Sequence, residues 1–154
     1  MITVRPATEA DIPAMSRVLI ASITELCSAD HGNDPDRIAR WIANKTVDGV
    51  RSMLVNPNTR LFVAEIEGSV AAVGATMGDS EIALNYVDPN HRFRGASKAL
   101  LAAMEDDLRT RGALEAILSA TATAHRFYLD AGWTDAAAPE AGRFIVDFPM
   151  RKDL

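Results

Sequence analysis

The stretch from Glu81 to Leu108 constrains the fold more than any other part of the chain. Ile82 to Val87 is a short apolar run stopped by Asp88-Pro89, which suits a buried strand better than a helix. Beyond it Leu100, Met104 and Leu108 recur every fourth residue, with Ser97 and Leu101 on the adjacent row, as in a helix packed on a sheet. Between strand and helix lie His91, Arg92, Arg94, Gly95 and Lys98. A helix N-terminus leaves backbone N–H groups unpaired and carries the positive end of the dipole. Two arginines, a lysine and a glycine at that point make a pocket for a phosphate or pyrophosphate. It is not a Walker A loop, because no G-x-x-x-x-G-K-S/T occurs, and G-x-G-x-x-G is absent as well.

The rest of the chain sets that anion pocket in context. The formal net charge is −5, so a long polyanion such as nucleic acid is not an expected partner. A small anionic ligand held at one basic point fits better, and an amine substrate is compatible with the acidic balance. At 154 residues the chain is read as one domain, 1–154. No apolar run reaches membrane-span length and Met1 to Pro6 lacks a signal-peptide core, so a cytoplasmic protein without a membrane partner is expected. The single cysteine, Cys27, allows no internal disulfide, and no Cys/His spacing suggests a metal.

In chain order, Ile2 to Arg5 reads as a strand ended by Pro6, and Thr8 with Asp11 as a capping box. Ile12, Met15, Leu19, Ile23 and Leu26 mark a helix to about Cys27, followed by a polar break over Ser28–Asn33. Asp34-Pro35 opens a second helix carrying Ile38, Trp41 and Ile42, and Asp48 is the expected cap of a further turn or two. Leu61 to Ile66 and Val70 to Met77 form a hairpin about Glu67-Gly68, and Glu81 to Val87 adds a third antiparallel strand. After the long helix, Leu114 to Leu118 reads as a strand and Thr121 to Ala131 as a short helix closed by Gly132. Ala136 to Gly142 reads as a flexible loop, and Arg143 to Met150 alternates as a final strand.

Arg92-Phe93-Arg94-Gly95-Ala96-Ser97 resembles the R/Q-x-x-G-x-G/A signature of the GCN5-related N-acetyltransferases, with Ser97 where Gly or Ala is usual. Ala124 to Trp133 resembles the family's A-x-x-F-Y-x-x-x-G-F motif, with Trp133 replacing Phe. The two motifs stand in the family's order, and the element order is similar over nearly the whole chain. The resemblance implies an α/β (α+β) acyl-CoA N-acyltransferase fold, a mixed and mostly antiparallel sheet flanked by helices. It also implies acetyl-coenzyme A as cofactor, with its pyrophosphate on the loop residues Arg92, Phe93, Arg94, Gly95, Ala96, Ser97 and Lys98. Backbone groups at Tyr86 and Val87 would pair with the pantetheine. An asparagine common in the family seven residues before the motif tyrosine is Thr121 here.

The activity implied is direct transfer of acetyl to a primary amine of a small molecule or peptide. Tyr128 is the expected general acid near the thioester sulfur, or else a core tyrosine. Glu81 is a candidate base, or else a solvated strand-end charge. Asn85, four residues on and on the same face by strict alternation, is a candidate for orienting amine or water. The acceptor pocket is expected from the early helices: Cys27 and His31 as contacts, with Asp30, Trp41 and Lys45 nearby. As a nucleophilic pair Cys27 and His31 are unconvincing, because direct transfer needs no acyl-enzyme, and a lone Cys after an apolar helix also serves as a small core residue. Two other readings stay open: a non-catalytic acyl-CoA sensor that kept the loop, and an acetylase of a ribosomal protein. Relatives that pair through C-terminal strands leave a homodimer open, through Arg143 to Met150.

Overall fold

A computed structural model describes residues 1–154. Strand β1 (Ile2–Pro6) leads through a 3-10 turn (Glu9–Asp11) into α1 (Ile12–Leu26). Three short helices follow: α2 (Ser28–His31), α3 (Pro35–Ile42) and α4 (Val47–Val55). Then come β2 (Thr59–Ile66), β3 (Ser69–Met77) and β4 (Glu81–Val87), a second 3-10 turn (Pro89–His91) and the long α5 (Ala96–Thr110). The chain ends with β5 (Glu115–Ala120), α6 (Ala122–Asp130), β6 (Thr134–Asp135), β7 (Glu140–Ala141) and β8 (Val146–Asp153). The sheet order is β1-β2-β3-β4-β5-β8-β6, with β7 also on β8. Every pairing is antiparallel except β4 with β5.

The α1 stripe is apolar at three- and four-residue spacing; Ile12, Met15 and Leu19 are fully buried against one sheet face, and Ile23 is buried in a cluster with Cys27 and Trp41. Leu100, Met104 and Leu108 of α5 are buried against the other face. The closest approach there is at Gly74 of β3, where an added Cβ would lie 2.8 Å from Met104 Sδ. The box before α1 forms, with the Thr8 N–H donating to Asp11 Oδ2 at 2.8 Å. That carboxylate also takes two bonds from the Arg5 guanidinium, at 2.8 and 2.9 Å. Trp133, which packs beneath α6, explains why an indole suffices for a phenyl ring: its Nε1–H donates to Glu105 Oε2 at 3.2 Å. Lys152 Nζ in turn joins Glu105 to the Ala131 carbonyl.

Several boundaries differ from the sequence-based expectation. The polar break over Ser28–Asn33 contains the helical turn α2, closed by Gly32 at φ 61°. Thr46 caps α4, its Oγ1 accepting from the Gly49 N–H at 3.1 Å; Asp48 lies inside the first turn and pairs with Arg51. The last strand starts at Val146 rather than Arg143, because the Gly142 N–H donates to the Ile145 carbonyl at 2.8 Å and turns the chain there. Phe144 and Ile145 leave the sheet and pack against Trp41 and Cys27. Within the stretch expected to be a flexible loop, β7 pairs Glu140 and Ala141 with Asp147 and Val146. With β6 on Arg151 and Met150, the outer edge of β8 is covered by the chain itself. A dimer made by adding a strand at that edge would displace β6 and β7. No helix is long and apolar enough to cross a membrane.

Candidate functional site

β4 is irregular where the site forms. Ile82 pairs with Thr76 and Leu84 with Ala75, so Ala83 is an extra residue on β4. A bulge of this kind sends the side chains beyond it to the opposite face. Ile82 packs with α5, whereas Leu84 and Tyr86 pack in the α1 layer. Asn85 consequently faces α5, its Nδ2 lying 3.5 Å from the Ser97 carbonyl. Glu81 and Asn85, expected on one face, are on opposite faces. Glu81 borders a smaller depression with Ile117 and Pro149 and is not part of the main cleft wall. Its placement does not support a role as base.

The main cleft exists because β4 and β5 diverge. A single pair, Glu81 with Ile117, holds their register. Past it, Ile82 to Val87 and Leu118 to Ala120 line opposite walls of a cleft of about 370 Å³. The backbone groups of β4 that face β5 are left without a strand partner. The cleft runs from the basic loop to Ser22, Leu26 and Cys27 at the end of α1.

The loop takes its shape from two left-handed residues, Phe93 at φ 62° and Gly95 at φ 87°. They deliver the chain into α5 with the N–H groups of Ala96, Ser97 and Lys98 free, since the first helical bond is Ala99 N–H to the Gly95 carbonyl at 3.0 Å. Arg92, Phe93, Gly95, Ala96, Ser97 and Lys98 all line the cleft. The Arg92 guanidinium lies 4.5 Å from the centre of the highly exposed Phe93 ring. Arg94 turns away: its guanidinium is 3.9 Å from Glu67 on the β2–β3 turn, and it is not part of the cleft wall. His91 lines the cleft too, its buried Nδ1 3.4 Å from Asp88 Oδ2 without hydrogen-bond geometry.

At the inner end, Tyr128 and Asn85 face each other across the gap. Burial pushes the Tyr128 phenol up to about 12, with the approaching Asn85 side chain opposing the rise. Asn85 Oδ1 is buried and has no donor. Tyr86 and Val87 both line the cleft, and burial raises the Tyr86 phenol strongly. Cys27 lines it as well, but burial and the charge of Asp30 push its thiol up to about 12. A thiol so protonated is no nucleophile.

His31, expected to touch substrate, does not reach the cleft. It is fully buried; the Asn33 N–H donates to its Nδ1 at 3.0 Å, so Nε2 carries the proton and donates to the Ile23 carbonyl at 2.8 Å. Both ring nitrogens are thus spent on closing the end of α1. Thr121, in the place of the family's asparagine, caps α6 by accepting from the Ala124 N–H at 3.0 Å. Asp30 adds a clamp that sequence reasoning missed. Its carboxylate accepts from the Ala122 N–H at 2.7 Å and the Thr123 hydroxyl at 2.6 Å. Nothing local marks it, because the partners lie 92 and 93 residues away.

The cleft fits a long ligand with a diphosphate at one end and an amide-bearing arm. Free N–H groups and two cations, Arg92 and Lys98, suit the diphosphate. The unpaired β4 edge and the orphaned Asn85 Oδ1 suit an arm that offers N–H donors.

Comparison with known proteins bears on the same features. Residues 16–154 match the family model described as an acetyltransferase (GNAT) domain. No curated protein sequence matches significantly. Among solved structures, a GCN5-related N-acetyltransferase from Rhodopseudomonas palustris superposes with a TM-score of 0.88 at 22% identity, covering 99% of this chain and 95% of that one. The PaiA N-acetyltransferase of Thermoplasma acidophilum, solved in complex with coenzyme A, gives a TM-score of 0.85 at 18% identity over 100% and 99% of the two chains. A ribosomal-protein-alanine N-acetyltransferase from Brucella melitensis gives 0.67 at 22% identity, with 99% of each chain covered. At these identities the structural likenesses speak for the fold.

Proposed function

The chain belongs to the acetyltransferase (GNAT) family, which uses acetyl-coenzyme A, and from that premise we propose that it transfers acetyl directly to a primary amine of a small molecule or peptide. The observation that carries this reading is the divergence of β4 from β5 beside the free N-terminus of α5, which places an anion cradle and unpaired strand edge on one cleft.

Acetyl-coenzyme A supplies, when bound, an acyl group activated by a thiol leaving group. Arg92, Lys98 and the amides of Ala96, Ser97 and Lys98 bind the diphosphate. The open edge of β4 around Tyr86 and Val87 orients the pantetheine arm, and Asn85 Oδ1 accepts one of its N–H groups or one from the amine. Tyr128 Oη holds its proton across the physiological range because burial disfavours the phenolate. It therefore stands ready to protonate a developing thiolate and cannot act as a base. The inner wall is apolar, formed by Leu84, Phe127 and Leu118, and limits water near the reacting carbonyl.

No carboxylate lines the cleft. The incoming amine accordingly loses its proton to solvent before it reaches the thioester. The same observation favours one alternative, a binding module that holds acyl-coenzyme A without turnover.

Calorimetric titration with acetyl-coenzyme A and with free coenzyme A tests the cofactor site. Binding is expected to weaken by at least about tenfold in an Arg92→Glu/Lys98→Glu protein, each lost cation being worth roughly 1 kcal/mol or more. Arg94→Glu is the control, with little change expected. No binding to either ligand would remove the cofactor assignment. Thiol release with amines then separates enzyme from binding module.

A further inference from the structure

Phe93 holds a costly backbone conformation from which the fold gains nothing. Three residues other than glycine have positive φ: Asn33, Glu67 and Phe93. Asparagine is among the side chains that tolerate this region best. Glu67 shares the two-residue turn between β2 and β3 with Gly68, and such a turn needs positive φ at both positions. Phe93 is bulky and lies in no hairpin; at its φ of 62° a glycine would sit without penalty. What the phenylalanine adds is a ring that is 91% exposed and belongs to none of the apolar clusters. Backbone strain that the fold does not use points to a ligand.

The ring also has a definite place. Leu114 and Val55 are exposed as well, but neither borders the main cleft, and scattered exposed apolar side chains are ordinary. Phe93 lines the cleft at the end where α5 offers its free N–H groups. The Arg92 guanidinium, 4.5 Å from the ring centre, puts a cation and an aromatic face at the same mouth. A ligand whose arm runs inward between β4 and β5, with its diphosphate on α5, leaves its remaining part outside that mouth. In acetyl-coenzyme A the remaining part is a phosphorylated adenosine, and a purine stacks readily on an exposed aromatic ring.

We propose that the Phe93 side chain is a stacking platform for the adenine of acetyl-coenzyme A, so that the basic turn holds the base as well as the diphosphate. This rests on the acetyl-coenzyme A reading and extends it from the backbone amides of the turn to a side chain. Covering the ring with a base removes its apolar faces from water, which offsets the cost of the left-handed backbone only when the cofactor is bound.

The test combines calorimetry with proton NMR of coenzyme A titrated with the protein. Phe93→Ala keeps a Cβ and so the backbone preference; it is expected to weaken coenzyme A binding by about fivefold or more. Phe93→Trp, with a larger π face, should hold the affinity. In the unsubstituted protein the ring current should move the adenine H2 and H8 resonances upfield, and Phe93→Ala should abolish that shift. Phe93→Gly relieves the strain, so it should melt no lower than the unsubstituted protein while binding coenzyme A more weakly. Equal affinity in Phe93→Ala would overturn this inference alone. So would a loss of affinity without any ring-current shift in the unsubstituted protein, which would mean that the ring acts by holding Arg92. A lower melting temperature in Phe93→Gly would do the same, by giving the ring a part in the fold. Failure of the unsubstituted protein to bind coenzyme A would overturn the underlying reading with it.

Discussion

Tyr128 sits almost out of reach of water and opposite Asn85, so its chemistry is set by burial more than by any charge. With burial holding its phenol near 12, it keeps its proton through the physiological range. Tyr128→Phe is expected to lower kcat by about tenfold or more while acetyl-coenzyme A affinity barely moves, as for loss of a general acid. Unchanged kcat in that variant would return Tyr128 to the core. Because no carboxylate lines the cleft, kcat/KM should climb with pH toward the acceptor amine's own pKa, and the climb should shift when the acceptor is changed. A limb that keeps its position for every acceptor would instead reveal a protein base. At this scale the sequence was legible where a residue acts through its backbone or its size: Gly95 in the turn, Ala96 under the helix start. It misled where a side chain has a choice of direction. Arg92 and Arg94 look equivalent in the motif, yet one lines the cleft and the other reaches for Glu67.

Among the elements, the start of α5 carries the clearest prediction. Gly95 takes φ 87°, and a methyl group there would meet only Ile2 Cδ1 at 3.6 Å. The cost of Gly95→Ala is therefore conformational rather than steric, about 1–2 kcal/mol. The variant should melt lower and bind coenzyme A several-fold more weakly, because the strain acts on the residues that aim the free N–H groups. Equal affinity, measured by calorimetry, would mean that the left-handed turn is not needed by the ligand. The α5 stripe and the β2–β3 hairpin were plain in the periodicity, since each buries one regular face. The bulge at Ala83 was not. A run in which nearly every residue is apolar carries no alternation from which an extra residue would stand out, so strict alternation puts Glu81 and Asn85 on one face where the bulge separates them.

Across the whole molecule, β4 and β5 share a single paired position, and Asp30 makes a further tie between distant segments beside the cleft that opens past it. It ties α2 to the N-terminus of α6, whose first amides point at its carboxylate. Asp30→Ala is expected to cost about 0.5–2 kcal/mol, as for a lost helix cap. Hydrogen exchange at Ala122 and Thr123 should speed up well before global unfolding. Unaltered protection there would show that the clamp is idle in solution.

By itself, the order of residues determined the longer helices and strands, the strand–loop–helix with its basic turn, and the family. These depend on local periodicity, capping and turn chemistry, which a chain carries wherever it folds. Only the tertiary structure decided which residues meet at the inner end of the cleft. It spent His31 on the end of α1, set Glu81 outside, and brought Asn85 opposite Tyr128. Such meetings come from the packing of segments far apart in the chain, and no local pattern encodes the distance between them.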